Sequence, residues 1–329
     1  MPATKCATRL LVRLYWICIA VIALLAWAQF SFAQALPEFH RTLIVTPAET
    51  VTLDVDLNSG DLQVSYGRDG EVSIMGLAKP SENAGIADAS PFVLNVEQSG
   101  NHIKIRPAND NDGEGRIAAV YRIDVPYRTK LISKLNTGKQ NITGILGPVE
   151  AVTNKGDIKV AYISNELQAR IGAGNLALQV IGGRVDVFAG SGNISCTRVP
   201  EGVNAETGDG DIALAIVGPS KAVVKKGSGR IDVGGARDSL VAETDLGNIH
   251  VKAIPHKEWQ LNSASGAIRV ELPPSANFDL DVSTKNGELQ FDRDDIVRPV
   301  ATVQEFHQAI HGGGTRIAVH TESGRITIR

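Results

Sequence analysis

Sulfur is scarce in this chain, with three cysteines and two methionines in 329 residues. Cys6 and Cys18 fall within an apolar N-terminal region, so Cys196 stands alone beyond it. A single thiol closes no internal disulfide, and the core must hold without covalent staples. Aromatic residues are also few, 5% of the total against 33 glycines. That balance is poor in large core fillers and rich in turns, which suits a thin repetitive interior better than a thick globular one. An excess of basic charge is missing as well. Lys5, Arg9 and Arg13 are the charged residues before residue 36; beyond it 33 − 3 = 30 Lys and Arg face 36 Asp and Glu, a formal charge of −6. A nucleic-acid binder needs a basic stripe to neutralise phosphates, and this balance argues against one. No second long apolar run occurs near Arg329, so no C-terminal membrane anchor is expected.

What is present begins with an export signal. Lys5, Arg9 and Arg13 form a basic start, Leu14 to Trp27 is almost unbroken apolar sequence, and Ser31-Phe32-Ala33 and Ala33-Gln34-Ala35 are small-x-small cleavage sites. Residues 1–35 are therefore expected to be a signal peptide, with an uncleaved anchor as the competing reading. Cys18 lacks the small residues that precede a lipidated cysteine. The expected location is periplasm, cell surface or medium.

The strongest signal is internal repetition. Glycine, a variable residue and then Ile or Leu recur at Gly156, Gly174, Gly192, Gly210, Gly229, Gly247, Gly266, Gly287 and Gly324. The spacings are 18, 18, 18, 19, 18, 19, 21 and 37; Gly138 lies 18 before Gly156, and Gly60-Asp61-Leu62 is an earlier copy. Apolar residues also recur four after each glycine, as in Val160, Leu178, Cys196 and Leu214. Triplets seven, five and three before it include Leu167/Ala169/Ile171 and Val203/Ala205/Thr207. Each copy thus reads as two short period-two strands flanking a glycine turn. A β-sandwich spaces its strands similarly but does not keep one residue class at one offset through eight copies. Identical columns arise when coils stack. The fold expected is an all-β, single-domain parallel β-solenoid of ten or eleven coils, with 18–19 residues and two strands per coil. Right-handed coiling is expected from the chirality of parallel crossovers. The glycine is assigned to a turn of positive φ.

Regularity fails in places. An extra residue before Gly229 puts Lys226 where an inward Thr or Ala belongs and predicts a bulge. Gln140 stands where Ile is expected. Residues 36–130, with strands such as Phe92–Val96, Ile103–Ile105 and Tyr121–Val125, form an atypical starting region and cap. Residues 131–329 form the regular coils, with an inserted loop at about 292–314. Cys196 lies between the Leu178 and Leu214 layers and reads as packing.

Ile123-Asp124-Val125-Pro126, the Gly-x-Ile ladder, Leu272-Pro273-Pro274 with Leu280–Gly287, and the ending from Gly312-Gly313-Gly314 to Ile328 carry a family resemblance. Over about residues 45–329 the chain resembles the bacterial putative-adhesin family of β-strand-repeat domains of unknown function. The resemblance implies an exported or envelope β-solenoid, suggests adhesion through the family's name, and supplies no catalytic residues.

Candidate chemistry is sparse. Thr207-Gly208-Asp209-Gly210-Asp211-Ile212 is faintly similar to calcium-binding nonapeptide repeats, but here the turn comes once per eighteen residues, and Arg230 would repel calcium. A solvated turn is the better reading. His307 and His311 would share one face of a short helix, with Glu305 or His320 as further ligands, but two histidines without a fixed third read as a surface loop. Outward Asp157, Asp186, Asp211 and Asp232, with Lys159, Lys225 and Arg230 nearby, could line one side of a polysaccharide lyase or hydrolase groove. Alternating charge outside a solenoid is ordinarily a solvated face. No catalytic, cofactor-binding or metal residue is therefore assigned, and no cofactor is expected. The function expected is a non-catalytic envelope or secreted binding module for a polysaccharide or surface protein. The alternatives are a β-helix enzyme and a rod associating end to end through bare terminal strands such as Thr327-Ile328-Arg329.

Overall fold

Alternation of small apolar and polar residues builds strands one after another. In the computed structural model, residues 38–79, 94–108, 118–225, 227–297 and 304–329 are described. The N-terminal strands are β1 (Glu38–Ile44), β2 (Val51–Ser59), β3 (Asp61–Tyr66), β4 (Glu71–Lys79), β5 (Leu94–Ser99), β6 (His102–Pro107) and β7 (Ala118–Val125). The regular coils comprise β8 (Thr129–Thr137), β9 (Gln140–Ile145), β10 (Val149–Lys155), β11 (Ile158–Ile163), β12 (Leu167–Ala173), β13 (Leu176–Ile181), β14 (Val185–Ser191) and β15 (Ile194–Val199). They continue through β16 (Val203–Thr207), β17 (Ile212–Val217), β18 (Ser220–Val224), β19 (Ile231–Ala236), β20 (Leu240–Thr244), β21 (Ile249–Lys252), β22 (Trp259–Ser265) and β23 (Ile268–Glu271). Last come β24 (Phe278–Thr284), β25 (Glu288–Phe291), β26 (Glu305–Ile310), β27 (Thr315–Ser323) and β28 (Arg325–Ile328). No helix occurs among the described residues. The chain is the all-β solenoid expected from the repeats. The signal segment, Phe92, Val93 and Lys226 lie outside the described residues.

Strands alternate between two fourteen-stranded sheets. Sheet I runs β1-β4-β7-β3-β9-β11-β13-β15-β17-β19-β21-β23-β28-β25, and sheet II runs β26-β24-β27-β22-β20-β18-β16-β14-β12-β10-β8-β2-β6-β5. Equivalent residues pair directly, Leu167 with Val185 and Val185 with Val203. The solenoid columns are thus real stacks. Inward residues of both sheets meet in one continuous apolar core, and no coil can bury its inward face without its neighbours.

The glycine column has a stronger cause than φ. From Gly60 to Gly210 the ladder glycines do hold φ between 124° and 142°. At Gly229, Gly247, Gly266 and Gly287 φ lies outside the left-handed range, yet the glycine persists. From Gly138 onward, every ladder glycine would place a Cβ less than 3.0 Å from the carbonyl oxygen of the glycine in the adjacent coil. Close stacking of the turns therefore excludes a side chain. The inward hydroxyl just before the turn serves the same stack. Thr207 Oγ1 donates to Gly192 O at 3.0 Å, and Ser263 Oγ donates to Gly247 O at 3.0 Å.

Strands β11, β13, β15 and β17 of sheet I also carry a third inward residue that simple alternation misses. Tyr162, Val180, Arg198 and Ile216 adopt φ of 55–60°, where a side chain meets its own backbone. That kink skips one position and turns Ile163, Ile181, Val199 and Val217 inward to full burial. Of the two sequence irregularities, the one before Gly229 resolves differently from expectation. Val224 occupies the inward column next to the turn, paired between Thr207 and Thr244, the place the alternation gives to Lys226. The extra length therefore lies in the following turn, and the strand carries no bulge at that register. Gln140 does sit in the Ile column, buried, where it accepts from Ser133 Oγ at 2.6 Å and donates to Val152 O at 2.7 Å and Thr153 Oγ1 at 2.8 Å.

Both ends of the stack fold back on themselves. At the C-terminal end β27 and β28 return between the β22–β23 coil and the β24–β25 coil. The final strand is thus interior, with Ile326, Thr327 and Ile328 buried, and the bare terminal edge expected at Thr327-Ile328-Arg329 does not exist. The segment expected as an inserted loop contains β26, which covers β24 in antiparallel register. Arg293, 7% exposed, closes this end by donating to Leu272 O, Pro273 O and Pro274 O and pairing with Asp295. At the other end β6 and β7 lie outside β2 and β3, covered by antiparallel β5 and β4. Arg41 donates to Val96 O, and Gln98 donates to Ile44 O, tying β1 to β5 across the sheets.

Candidate functional site

The aspartates singled out from sequence separate into different roles. Asp157 Oδ1 accepts from the Asn175 backbone N–H at 3.0 Å, Asn175 Oδ1 from Asn193 at 3.1 Å, Asn193 Oδ1 from Asp211 at 2.9 Å, and Asp211 Oδ1 from Arg230 at 2.7 Å. Asp157 and Asp211 therefore belong to a ladder that clamps one turn onto the next, where a short side chain reaches exposed backbone donors. Asp186 lies on β14 in sheet II and Asp232 on β19 in sheet I. The four aspartates expected along one groove do not share one. Lys225 pairs with Glu206 at 2.6 Å and Arg230 with Asp232 at 2.6 Å, while Lys159 lies on β11.

The histidine pair also lies differently from expectation. His307 is on strand β26, not on a helix, because β26 completes the edge of sheet II. Its Nδ1 lies 3.1 Å from Asp281, whereas His311 Nε2 faces Asp295 at 3.4 Å. His320 Nδ1 lies 2.8 Å from Ser283 Oγ. Each imidazole thus has its own local partner. Cys196 is buried between Leu178 and Leu214, and burial pushes its thiol up to about 12. It is packing.

The outer face of sheet II carries a shallow depression of about 460 Å³ that periodicity alone did not reveal. Register places Val223, Glu243, Asn262 and His320 in one row across β18, β20, β22 and β27. Lys225, Asp245, Ala264 and Glu322 line the same depression. The methyl group of Ala264 leaves the centre low. Lys285 donates to Glu322 at 2.8 Å, which holds that carboxyl below its usual range and ionised at neutral pH. Glu243 lies on β20 and Asp245 directly follows its last residue, Thr244, so both acids border the depression. Glu243 is half-buried and Asp245 exposed. Such a row can accept hydrogen bonds from an extended ligand lying across successive coils. His320 enters it only because β27 folds back beside β22.

On sheet I the equivalent face is charged near its C-terminal end. His250 lies 3.3 Å from both Asp232 and Glu271. Partial burial works against ionisation of Glu271, yet hydrogen bonds from His250 and Lys252 hold its carboxyl below the ordinary range. Among the described residues, no group of three or more His, Cys, Asp or Glu side chains is placed to hold a metal ion.

Comparison with known proteins agrees with this architecture. The family model described as Toastrack DUF4097 matches residues 161–329. No curated protein matches the sequence. Among solved structures, a "putative adhesin" from Bacteroides fragilis is 16% identical, with 72% of this chain and 97% of that chain covered and a TM-score of 0.38. A "putative lipid binding protein" from Parabacteroides distasonis is 13% identical, covering 88% and 96%, with a TM-score of 0.39. A "putative cell adhesion protein" from Clostridium sporogenes is 12% identical, covering 88% and 98%, with a TM-score of 0.24. Resemblance at this level carries neither ligand nor activity across. The family match spans more than half of the sequence: the chain belongs to the Toastrack DUF4097 family.

Proposed function

We propose that this chain is an exported, non-catalytic binding module that presents its outer sheet faces to an envelope or extracellular polymer. The observation that carries this reading is the row across β18, β20, β22 and β27. It consists of side chains repeated at the strand spacing of about 4.8 Å on an open, nearly flat surface. An extended chain of repeating units matches that geometry, whereas a compact metabolite would leave most of it uncovered. The basic and apolar start at residues 1–35, followed by small-residue sites, supports export. Family membership supports a surface-binding role at a coarse level.

A polysaccharide-cleaving activity is the second reading, favoured by the presence of two acids, Glu243 and Asp245, on one depression. Its weakness is the openness of the depression. A general acid needs a raised pKa, and that takes a desolvated pocket. Retention of the chain lacking residues 1–35 on an array of envelope and extracellular polysaccharides tests the proposal. Glu243→Gln/Asp245→Asn should weaken retention on at least one polymer that holds the unaltered chain. Failure of that chain to bind any polymer would remove the reading.

A further inference from the structure

A second depression lies on the opposite sheet. It occupies about 180 Å³ on the outer face of β3, β9 and β11, is lined by Asp61, Gln63, Lys139, Asn141, Asp157 and Lys159 among others, and ends before the tyrosines that follow on β3 and β11. The register places Gln63, Asn141 and Lys159 side by side, then Ser65, Thr143 and Ala161. The next position along the three strands holds Tyr66, Gly144 and Tyr162. A Cβ on Gly144 would sit 3.1 Å from Tyr66 Cβ, so the two coils touch there. Tyr66 and Tyr162 are 56% and 59% exposed, unusual for side chains of this size in a chain with few aromatics. Between them the middle strand offers no side chain at all. We infer that the surface along β9, from this depression to the tyrosine pair, is a binding site for a chain of pyranose sugars, with one ring held between Tyr66 and Tyr162. This rests on the reading of the protein as a polymer-binding module and gives it a second site and a ligand class.

Two strand spacings separate the tyrosine backbones by about 9.6 Å. Carbon atoms in van der Waals contact lie at about 3.5–4.0 Å, so a ring touching aromatic groups on both sides spans about 7–8 Å. The opening therefore suits one ring and is too wide for the tyrosines to close on each other without leaning. Tyr66 is already braced: its ring meets that of Tyr127 edge-on at 5.9 Å, and the Arg128 guanidinium lies 5.9 Å from the Tyr127 centroid. A braced ring loses little rotamer freedom on binding. The surface between the tyrosines and the depression, whose lining also carries Asp61, Lys139, Asp157 and Lys159, matches a sugar's hydroxyls. Amides at Gln63 and Asn141 and the hydroxyl of Thr143 both donate and accept, and an apolar groove for a helix would present none of them. Tyr162, unlike Tyr66, belongs to the left-handed column, and other exposed residues of that column supply the contrast. Arg198 and Ile216 share the backbone kink of Tyr162 but lack its aromatic face.

Affinity electrophoresis through gels containing a soluble neutral β-glucan or alginate tests the site, using the chain lacking residues 1–35. Tyr66→Ala and Tyr162→Ala should each weaken retention at least tenfold in a gel that retards the unaltered protein. Ile216→Ala, at the equivalent corner outside the site, should leave it unchanged. Gly144→Asn, which tolerates positive φ but fills the slot, should weaken it as the tyrosine variants do. Unchanged retention of folded Tyr66→Ala and Tyr162→Ala would overturn the site while leaving the polymer-binding reading intact. An unaltered protein that runs freely in both gels would overturn the site for both ligand types, whereas binding to another polymer on the array would still uphold the broader reading.

Discussion

If turn stacking fixes the glycine column, substitutions should follow the space available and not φ alone. Gly174 has both constraints, φ of +136° and a Cβ that would fall on the carbonyl of Gly156. Gly266 has only the second, against Gly247. Gly100, in the β5–β6 turn, has only the first, with φ of +60° and nothing within 4 Å of its Cβ. Overpacking a well-packed site costs about 1–3 kcal/mol, and a left-handed conformation costs a side-chain-bearing residue about 1–2 kcal/mol. Gly174→Ala should therefore lose about 2–5 kcal/mol, Gly266→Ala about 1–3 kcal/mol and Gly100→Ala about 1–2 kcal/mol. Urea unfolding followed by circular dichroism reads these as midpoint shifts, provided the slope stays constant. A Gly266→Ala midpoint equal to that of the unaltered chain, with Gly174→Ala no worse than Gly100→Ala, would show that φ alone selects glycine here.

Further outcomes follow from the ends and the interior. Deleting residues 325–329 removes a strand between β23 and β25, so the truncated chain should lose protection from hydrogen exchange across residues 268–291; retention of that protection would place the last strand on the outside. The Arg293 guanidinium holds the Asp295 carboxyl below its usual range. The folded pKa is thus lower than the unfolded one, and the stabilisation is full above about pH 4 and lost as pH falls through the folded value. Arg293→Met should flatten that acid dependence in denaturation midpoints measured from pH 6 to pH 2.5, and an unaltered slope would count against the pairing. Cys196 should resist thiol reagents at pH 8 in the folded chain and react only on unfolding, because both burial and its raised pKa oppose the thiolate. Rapid labelling under native conditions would contradict the packing. Ile216→Gly should leave stability unchanged or raise it by up to about 1 kcal/mol, as relief of left-handed strain offsets glycine's entropy; a loss above 2 kcal/mol in the same unfolding assay would argue against strain.

The solenoid was legible because stacking forces the same residue class into each coil, and Gly156, Gly174 and Gly192 reveal that directly. Ile163, Ile181 and Val199 were harder to see as core, since the kinks at Tyr162, Val180 and Arg198 break the two-residue alternation that marks inward positions. The order of the last two coils could not be read from local pattern. The 37-residue gap between Gly287 and Gly324 is equally compatible with continuing upward and with folding back. That ambiguity hid the depression on sheet II, because His320 joins Glu243 and Asn262 only after the fold-back. Asp157 and Asp211 drew attention as outward acids, but their position immediately after the ladder glycine is the signal of turn capping. Tyr66 and Tyr162 lie 96 residues apart in sequence. Aligning each with its own glycine, six positions on in both cases, would have placed them in one column.

Binding without turnover is the claim on which the functional account stands, and a timed incubation tests it. The chain lacking residues 1–35 would be held with each polysaccharide that retains it, and new reducing ends and unsaturated products followed over a day. Bound polymer recovered at its original length, with no product above a no-protein control, is the predicted result. Release of oligosaccharides that disappears in Glu243→Gln/Asp245→Asn would contradict the account and identify the sheet II depression as an active site.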